Sequence, residues 1–585
     1  MKWRILILAG LGILVSSVHA AIVPVDRIVN WARSGVFENE VKGIPDRLKV
    51  FCNVKVKIPG SPLLARGDGT RDDSEALQAA INACPPGQVV HIPQGTYRIS
   101  QSLIINKGIV VRGEGPAKTK IIQHAPSHVF IIQGTGTSFW YAAVGGHPEL
   151  GIVQSLRSGY SRGSDTVVIS DSSECAVGDV VLIDQLNDPA LVNANGTGGS
   201  CTWCGLGVGV NQDTDGSRAM GETLIIKKKN GNTITFHRPL NYNYKAQFQP
   251  RLIVLSHGPV KNAGIEDLYI ASADGNREGS GIVMSYCVHC WIRNVESHNI
   301  PQKHVEIEWA TCGNEVRDSV FHHTPRFDAD HGYGINIHNY STDNLIENNV
   351  FYRLHTGVVI GSAGGSGNVV AYNFVDNTQH WQPYWFLYQL GTHGAHTYMN
   401  LFEGNVCGKV GLDSYWGSGS HSVFFRNFIT RENTGQPVTS DINAVNIEVL
   451  NYYVTLVGNI LGKPGCRGPS EQIPFRDSHN NPVLWKVGYA GSMIGYPTDP
   501  KVDSTLIRTG NWECATNAVQ WASDDHHIPD SLYLPSKPAW FGALAWPPFA
   551  PERADFDPKN LNKIPAQLRF DRWSQGSAHN GSGDD

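Results

Sequence analysis

Glu306 and Glu308 stand two residues apart in "KHVEIEWA", and Asn336 and His338 stand two apart in "GYGINIHN". Between them the loop "HHTPRFDADHGYG" supplies His322, His323, Arg326, Asp328, Asp330 and His331. If the two segments are neighbouring strands, they lie about 4.8 Å apart and alternate residues lie about 6.6 Å apart. At about 6.5 to 9.5 Å, one carboxyl can protonate a glycosidic oxygen while another activates water. Crowded carboxylates also raise one another's pKa, as an acid catalyst near neutral pH requires. Hydrolysis would draw acid and base from Glu306, Glu308, Asp328 and Asp330, with Asn336 and His338 orienting the substrate. β-Elimination would instead use His331 or His338 to take the proton beside a uronate carboxyl, which Arg326, Arg353 or Lys409 would neutralise. The abundance of carboxylates favours hydrolysis.

Such neighbours require a chain that returns on itself. A short phrase recurs as "NAGIEDLY", "HCWIRNVE", "NEVRDSVF", "NLIENNVF", "NVVAYNFV", "NLFEGNVC", "SVFFRNFI" and "VTLVGNIL". Its sixth position is Asp267, Asn294, Ser319, Asn349, Asn373, Asn405, Asn427 and Asn459. A period of about 20 to 50 residues marks stacked units, each too small to bury a core alone. Asn tolerates left-handed backbone, and stacked Asn side chains can form a hydrogen-bonded ladder, so the sixth position reads as a turn. The reading is a coil of three strands and three turns per rung.

Alternation then sends Val305, Ile307, Ile335, Ile337, Val358 and Ile360 inward and Glu306, Glu308, Asn336, His338, Asp413, Tyr415, Asn446 and Glu448 outward. Four residues past the sixth position lies a second column: His298, His323, Arg353, Asn377, Lys409, Arg431 and Lys463. It can follow an acidic polymer or simply balance neighbouring carboxylates. Trp381, Tyr384, Trp385, Tyr388, Tyr415 and Trp416 add rings that can stack on sugars, with Trp385 and Leu387 expected to turn inward. Arg326, Asn336, Arg353, Lys409, Asp413, Tyr415, Trp416 and Trp381 are therefore the expected substrate contacts along a groove.

The segment "GDGTRDDSEALQAAINAC", followed by "VVHIPQGTYRIS", resembles the entry of the pectate-lyase-like superfamily, in its rhamnogalacturonase- and epimerase-like branch. The resemblance implies an all-β, right-handed parallel β-helix acting on polysaccharide. Asp72 or Asp73 can cap a helix whose Ala76, Leu77, Ala80 and Ile81 would plug the open end of the coil. Inverting polygalacturonase signatures are absent apart from a loose likeness in "DADHGYG", so no catalytic residue transfers by motif. A non-catalytic adhesin or carbohydrate-binding β-helix is the reading from another class, disfavoured by uneven turns and long polar loops.

The expected organisation is a signal peptide over 1–20, an N-terminal extension over 21–66, and entry rungs over 67–164. A small all-β insertion over 165–243, the main coil over 244–465, an irregular strap over 466–575 and a disordered tail over 576–585 follow. Lys2, Arg4, the apolar run "ILILAGLGILV" and "SSVHA" form the leader, with cleavage after Ala20 and a secreted or periplasmic product. The net charge of −5 argues against nucleic acid, and no later segment reads as a membrane span. The expected partner is polysaccharide, with the protein a monomer. Eleven cysteines include the pairs Cys201/Cys204, read as a loop disulfide, and Cys287/Cys290, read as buried thiols rather than a shared zinc site. The sequence requires no cofactor; calcium is left open near Asp328, Asp330 and Asp376.

Overall fold

The computed structural model describes residues 22–134, 151–202, 204, 216–255, 258–328, 330–361, 363, 365–471, 482–490 and 497–578. The expected signal peptide and the last seven residues lie outside that set. So does "GLGVGV" at 205–210, whose glycines lack the strand-to-helix context of a nucleotide site.

The chain winds into a right-handed parallel β-helix. One face is a ten-stranded sheet: β1 (Leu103–Ile105), β2 (Phe130–Gln133), β3 (Ile282–Ser285), β4 (Lys303–Glu308), β5 (Tyr333–Ile337), β6 (Thr356–Ile360), β7 (Leu390–Thr392), β8 (Val410–Leu412), β9 (Asn443–Glu448) and β10 (Val483–Tyr489). Val305, Ile335, Val358, Leu390, Val410 and Val445 share one inward column. Together with Ile307, Ile337 and Ile360 they enter the continuous buried core. Stacking identical apolar positions buries what no single rung could.

The Asn ladder is continuous from Asn349 through Asn373, Asn405, Asn427 and Asn459 to Asn511. Each Oδ1 accepts the backbone N–H and the Nδ2 of the preceding rung, at 2.9 to 3.1 Å. The left-handed residue is the one before it: Asn348, Tyr372, Gly404, Arg426, Gly458 and Gly510. Asp267 and Asn294, expected on the ladder, occupy that preceding position, with φ of 57° and 52°. The phrase therefore slips by one residue in its first two copies. A second ladder, Asn314–Asn344–Asn368–Asn400, stands at the preceding turn, before the strands that the first ladder follows.

Helix α1 (Ser74–Ala83) packs Ala76, Leu77, Ala80 and Ile81 onto the first rung. Its expected cap is shared. Asp72 accepts from Ser74 N, whereas Asp73 accepts from Arg66 N and Gly67 N and fixes the loop beneath.

The insertion is larger than expected. Six antiparallel strands between Gly151 and Leu255 close into a barrel, so the boundaries 165–243 are too narrow. Cys201–Cys204 is a disulfide within it, and Cys287 and Cys290 are buried thiols; the zinc alternative therefore loses half its ligands. The coil also outlasts residue 465: β10 and the strands Ile507–Thr509 and Asn511–Glu513 add a rung, joined by a Cys466–Cys514 disulfide.

The strap is not wholly irregular. It holds α2 (Pro500–Thr505) and ends in α3 (Pro565–Ala578), so 576–578, expected as disordered tail, are helical. Apolar residues Ala566, Phe570 and Trp573 recur at helical spacing and pack on the coil.

Candidate functional site

Adjacent strands of the ten-stranded sheet place outward residues in columns. One column runs Glu306, Asn336, Val359, Gly391, Gly411, Asn446 and Lys486. Beside it, just past the strand ends, backbone bonds link the rungs of Ile307, His338, Gly361, His393 and Asp413, with Glu448 on the next strand. The small side chains in the middle of this face leave a groove of about 740 Å³ above β5 to β9. A Cβ on Gly411 would lie 2.7 Å from the Tyr388 side chain, so glycine lets that ring lie across the floor.

Three groups converge there. Asp413 Oδ2 accepts from the Tyr388 hydroxyl at 2.9 Å and faces His393 Nδ1 at 2.7 Å, while Asp413 Oδ1 accepts from Tyr415 N. Burial works against a charged His393, but Asp413 holds its pKa above the ordinary value. Glu448 accepts from Ser414 N, Ser414 Oγ and Asn446 Nδ2. Burial and the neighbouring Asp413 charge push Glu448 up to about 7. A carboxyl that keeps its proton near neutrality thus sits one rung from Asp413.

Rings form the walls. Trp381 is 63% exposed and Tyr415 44%, and both line the groove with Tyr333, Trp385 and Trp416. Trp385 and Leu387, expected inward, line the groove and are only partly buried, whereas Phe386 beside them and Leu390 are fully buried, because the strand of this rung begins at Leu390 rather than near residue 384. The same displacement hid His393, which continues the outward alternation of β7.

A loop of the insertion braces the aromatic wall. Thr197 N and Gly198 N donate to Ser414 O and Tyr415 O, each at 2.9 Å. A Cβ on Gly198 would lie 2.4 Å from the Tyr415 ring, and one on Gly199 2.6 Å from Trp416.

The expected site divides. Asp328, Trp381, Lys409, Asp413, Tyr415 and Trp416 line the groove. Arg326 and Asp328, bonded at 2.8 Å, border an adjoining depression that shares Trp381. Arg326 also reaches Glu278, and His331 Nδ1 lies 3.1 Å from Asp328.

Glu306, Glu308 and His338 point away from the core as expected, yet they are only 6%, 4% and 7% exposed, and none lines the groove. Their face is covered at these rungs. Asp330 pairs with the buried Lys303 at 2.7 Å. Asn336 lies beside Glu306, on the next rung. Arg353 occupies a left-handed turn away from the groove lining.

The column of cations does not form a charged stripe. Burial and His322 push His323 down to about 3, so it is neutral. Lys409 is neutralised by Asp441, at 2.6 Å, which Lys486 also contacts at 2.8 Å. Besides His393, the sequence reading did not single out Glu448 or Asp441 as site residues.

Residues 63–143 match the family model described as rhamnogalacturonase A/epimerase, pectate lyase-like. This bears out the resemblance read from the entry segment. The chain is 37% identical over 90 residues to a pre-neck appendage protein of Bacillus phage B103, covering 15% of this chain and 10% of that protein. It is 39% identical over 66 residues to alginate lyase 7 of Azotobacter vinelandii, covering 10% and 8%. The chain thus matches about a tenth of the length of these curated relatives. Among solved structures, the tailspike protein gp49 of Pseudomonas phage LKA1 matches with a TM-score of 0.43 at 15% identity, covering 69% of this chain and 76% of that one. Among the described residues no helix is long and apolar enough to cross a membrane.

Proposed function

We propose that the protein is an exported, polysaccharide-degrading glycoside hydrolase that binds an extended glycan along the groove above β5 to β9. The observation that carries this reading is the Asp413–Glu448 pair: two carboxyls on adjacent rungs, of which Glu448 is pushed up to about 7 by burial and by the neighbouring Asp413. Such a raised proton affinity suits Glu448 to the acid role. Glu448 protonates the glycosidic oxygen as the bond to the anomeric carbon breaks. Asp413, aligned by Tyr388 and His393, attacks that carbon and forms a glycosyl ester. Water, deprotonated by Glu448, then hydrolyses the ester. Adjacent rungs lie about 4.8 Å apart, a backbone spacing compatible with the carboxyl separation of about 5 to 5.5 Å used by retaining enzymes. Trp381, Trp385 and Tyr415 offer flat faces for successive sugars.

A second reading, β-elimination on a uronate polymer, draws on the two lysines beside a single aspartate, Lys409 and Lys486 with Asp441, in and behind the groove wall. His393 or Tyr388 would then be the base. Incubating the purified protein with a panel of neutral and acidic polysaccharides separates these readings. Reducing ends without the ultraviolet absorbance of an unsaturated uronate support hydrolysis, absorbance rejects it, and neither signal with intact binding rejects both. Asp413→Asn and Glu448→Gln are each expected to lower kcat by about 100-fold or more, with folding unchanged by circular dichroism.

A further inference from the structure

The three buried residues that the groove leaves out form a set of their own. His338 Nε2 lies 3.3 Å from Glu306 Oε1 and 3.7 Å from Glu308 Oε2. The ligand atoms of all three lie within 4.8 Å of one another. Ligands about 2.0 to 2.2 Å from a tetrahedral metal stand about 3.4 Å apart, and the two observed separations bracket that value.

The surroundings are rich in acceptors. Glu306 Oε1, Glu308 Oε2 and, on the rung next to Glu306, Asn336 Oδ1 are all shielded from solvent and meet no well-aligned donor; His338 stands against Glu306 and the Ser285 hydroxyl beside Glu308. A buried carboxylate oxygen without a donor is costly unless a cation meets it. Lys303 approaches Glu306 Oε1 at 3.5 Å, but its closer partner is Asp330 at 2.7 Å. With that pair neutral, Glu306 and Glu308 would supply, once deprotonated, the two negative charges that balance a divalent ion. Ser280 Oγ bonds Glu306 Oε2, the oxygen turned away from His338, at 3.3 Å.

We propose that Glu306, Glu308 and His338 form a binding site for a first-row divalent metal, with zinc the best match to one imidazole nitrogen and two carboxylate oxygens. Calcium and magnesium prefer all-oxygen shells of six or more ligands, which this set does not provide. The site lies toward the N-terminal end of the same outer sheet face, three to four rungs before Asp413, or about 14 to 19 Å on the strand spacing. It is independent of the proposed hydrolysis and ties β4 to β5 from outside the core.

Elemental analysis of the purified full chain, followed by chelation and titration with Zn2+, tests it. One equivalent should bind and raise the thermal midpoint. Glu308→Gln and His338→Gln should each weaken binding by more than about 100-fold, beyond the effect of losing an outer-shell partner. His322→Gln, in the separate His298–His322–His323 cluster, should leave binding intact. Absence of saturable Zn2+ binding, or its loss in His322→Gln alone, overturns the assignment. If the ligand variants do not fold, X-ray absorption of the Zn2+-loaded natural chain decides. One imidazole with two carboxylates supports the site, and a shell of three imidazoles overturns it.

Discussion

Glu403 shows how burial, rather than residue type, decides what a carboxyl does in this protein. It is fully buried and accepts from Tyr372 and Ser531 hydroxyls and from Leu532 N. Burial pushes its pKa up from 4.5 to about 7, although these hydrogen bonds work in the opposite direction. Its folded form therefore binds more protons than its unfolded form between those values. Its contribution to stability is complete below about 4.5 and is lost as pH rises through about 7. Glu403→Gln should consequently gain on the natural protein between pH 5 and pH 8, by up to about 3 kcal/mol in chemical denaturation. A pH-independent difference between the two would contradict this. The same displacement at Glu448 predicts that kcat falls as pH rises through about 7. Glu306 and Glu308 were legible as outward-facing from alternation alone. That they are covered was not, because alternation separates the two faces of a strand without revealing what packs on the outer one.

At the scale of elements, the ladder and the insertion loop make separate predictions. Asn373 accepts from Asn349 N and Nδ2 and donates to Ile346 O and Asn405 Oδ1. Asn373→Ala strands these buried groups on both sides and should cost about 3 kcal/mol in denaturant unfolding. An effect below about 1 kcal/mol would mean that the ladder decorates the turn rather than fixes it. Gly198→Ala should displace Tyr415 and raise KM severalfold while leaving the thermal midpoint near that of the natural protein. The ladder was visible as a recurring Asn, but its register slipped at Asp267 and Asn294. There the left-handed position itself carries a polar residue and imitates the next one. The rung of residues 381 to 393 was misread for a related cause: an irregular aromatic loop precedes β7, and its hydrophobicity resembles a strand.

Over the whole molecule, distant segments fasten the coil. Arg426, a left-handed ladder neighbour, donates to Ile528 O, Pro529 O and Phe549 O and bonds Glu552, while Tyr533 donates to Glu347. Arg426→Met should release the strap and cost about 3 to 5 kcal/mol, with earlier proteolysis after residue 514 as the readout. Unchanged proteolysis would show that the strap holds without it.

The chain's own pattern determined the coil, its inward columns, the capping helix and the outward placement of Asp413 and Tyr415. Those follow from strand alternation and a repeat, both local in sequence. Only the tertiary structure decided which outward residues share a groove. That outcome depends on a glycine loop near residue 198 meeting Tyr415, on Gly411 yielding space to Tyr388, and on burial raising the proton affinity of Glu448. Each is a contact between segments whose spacing along the chain carries no periodic signal.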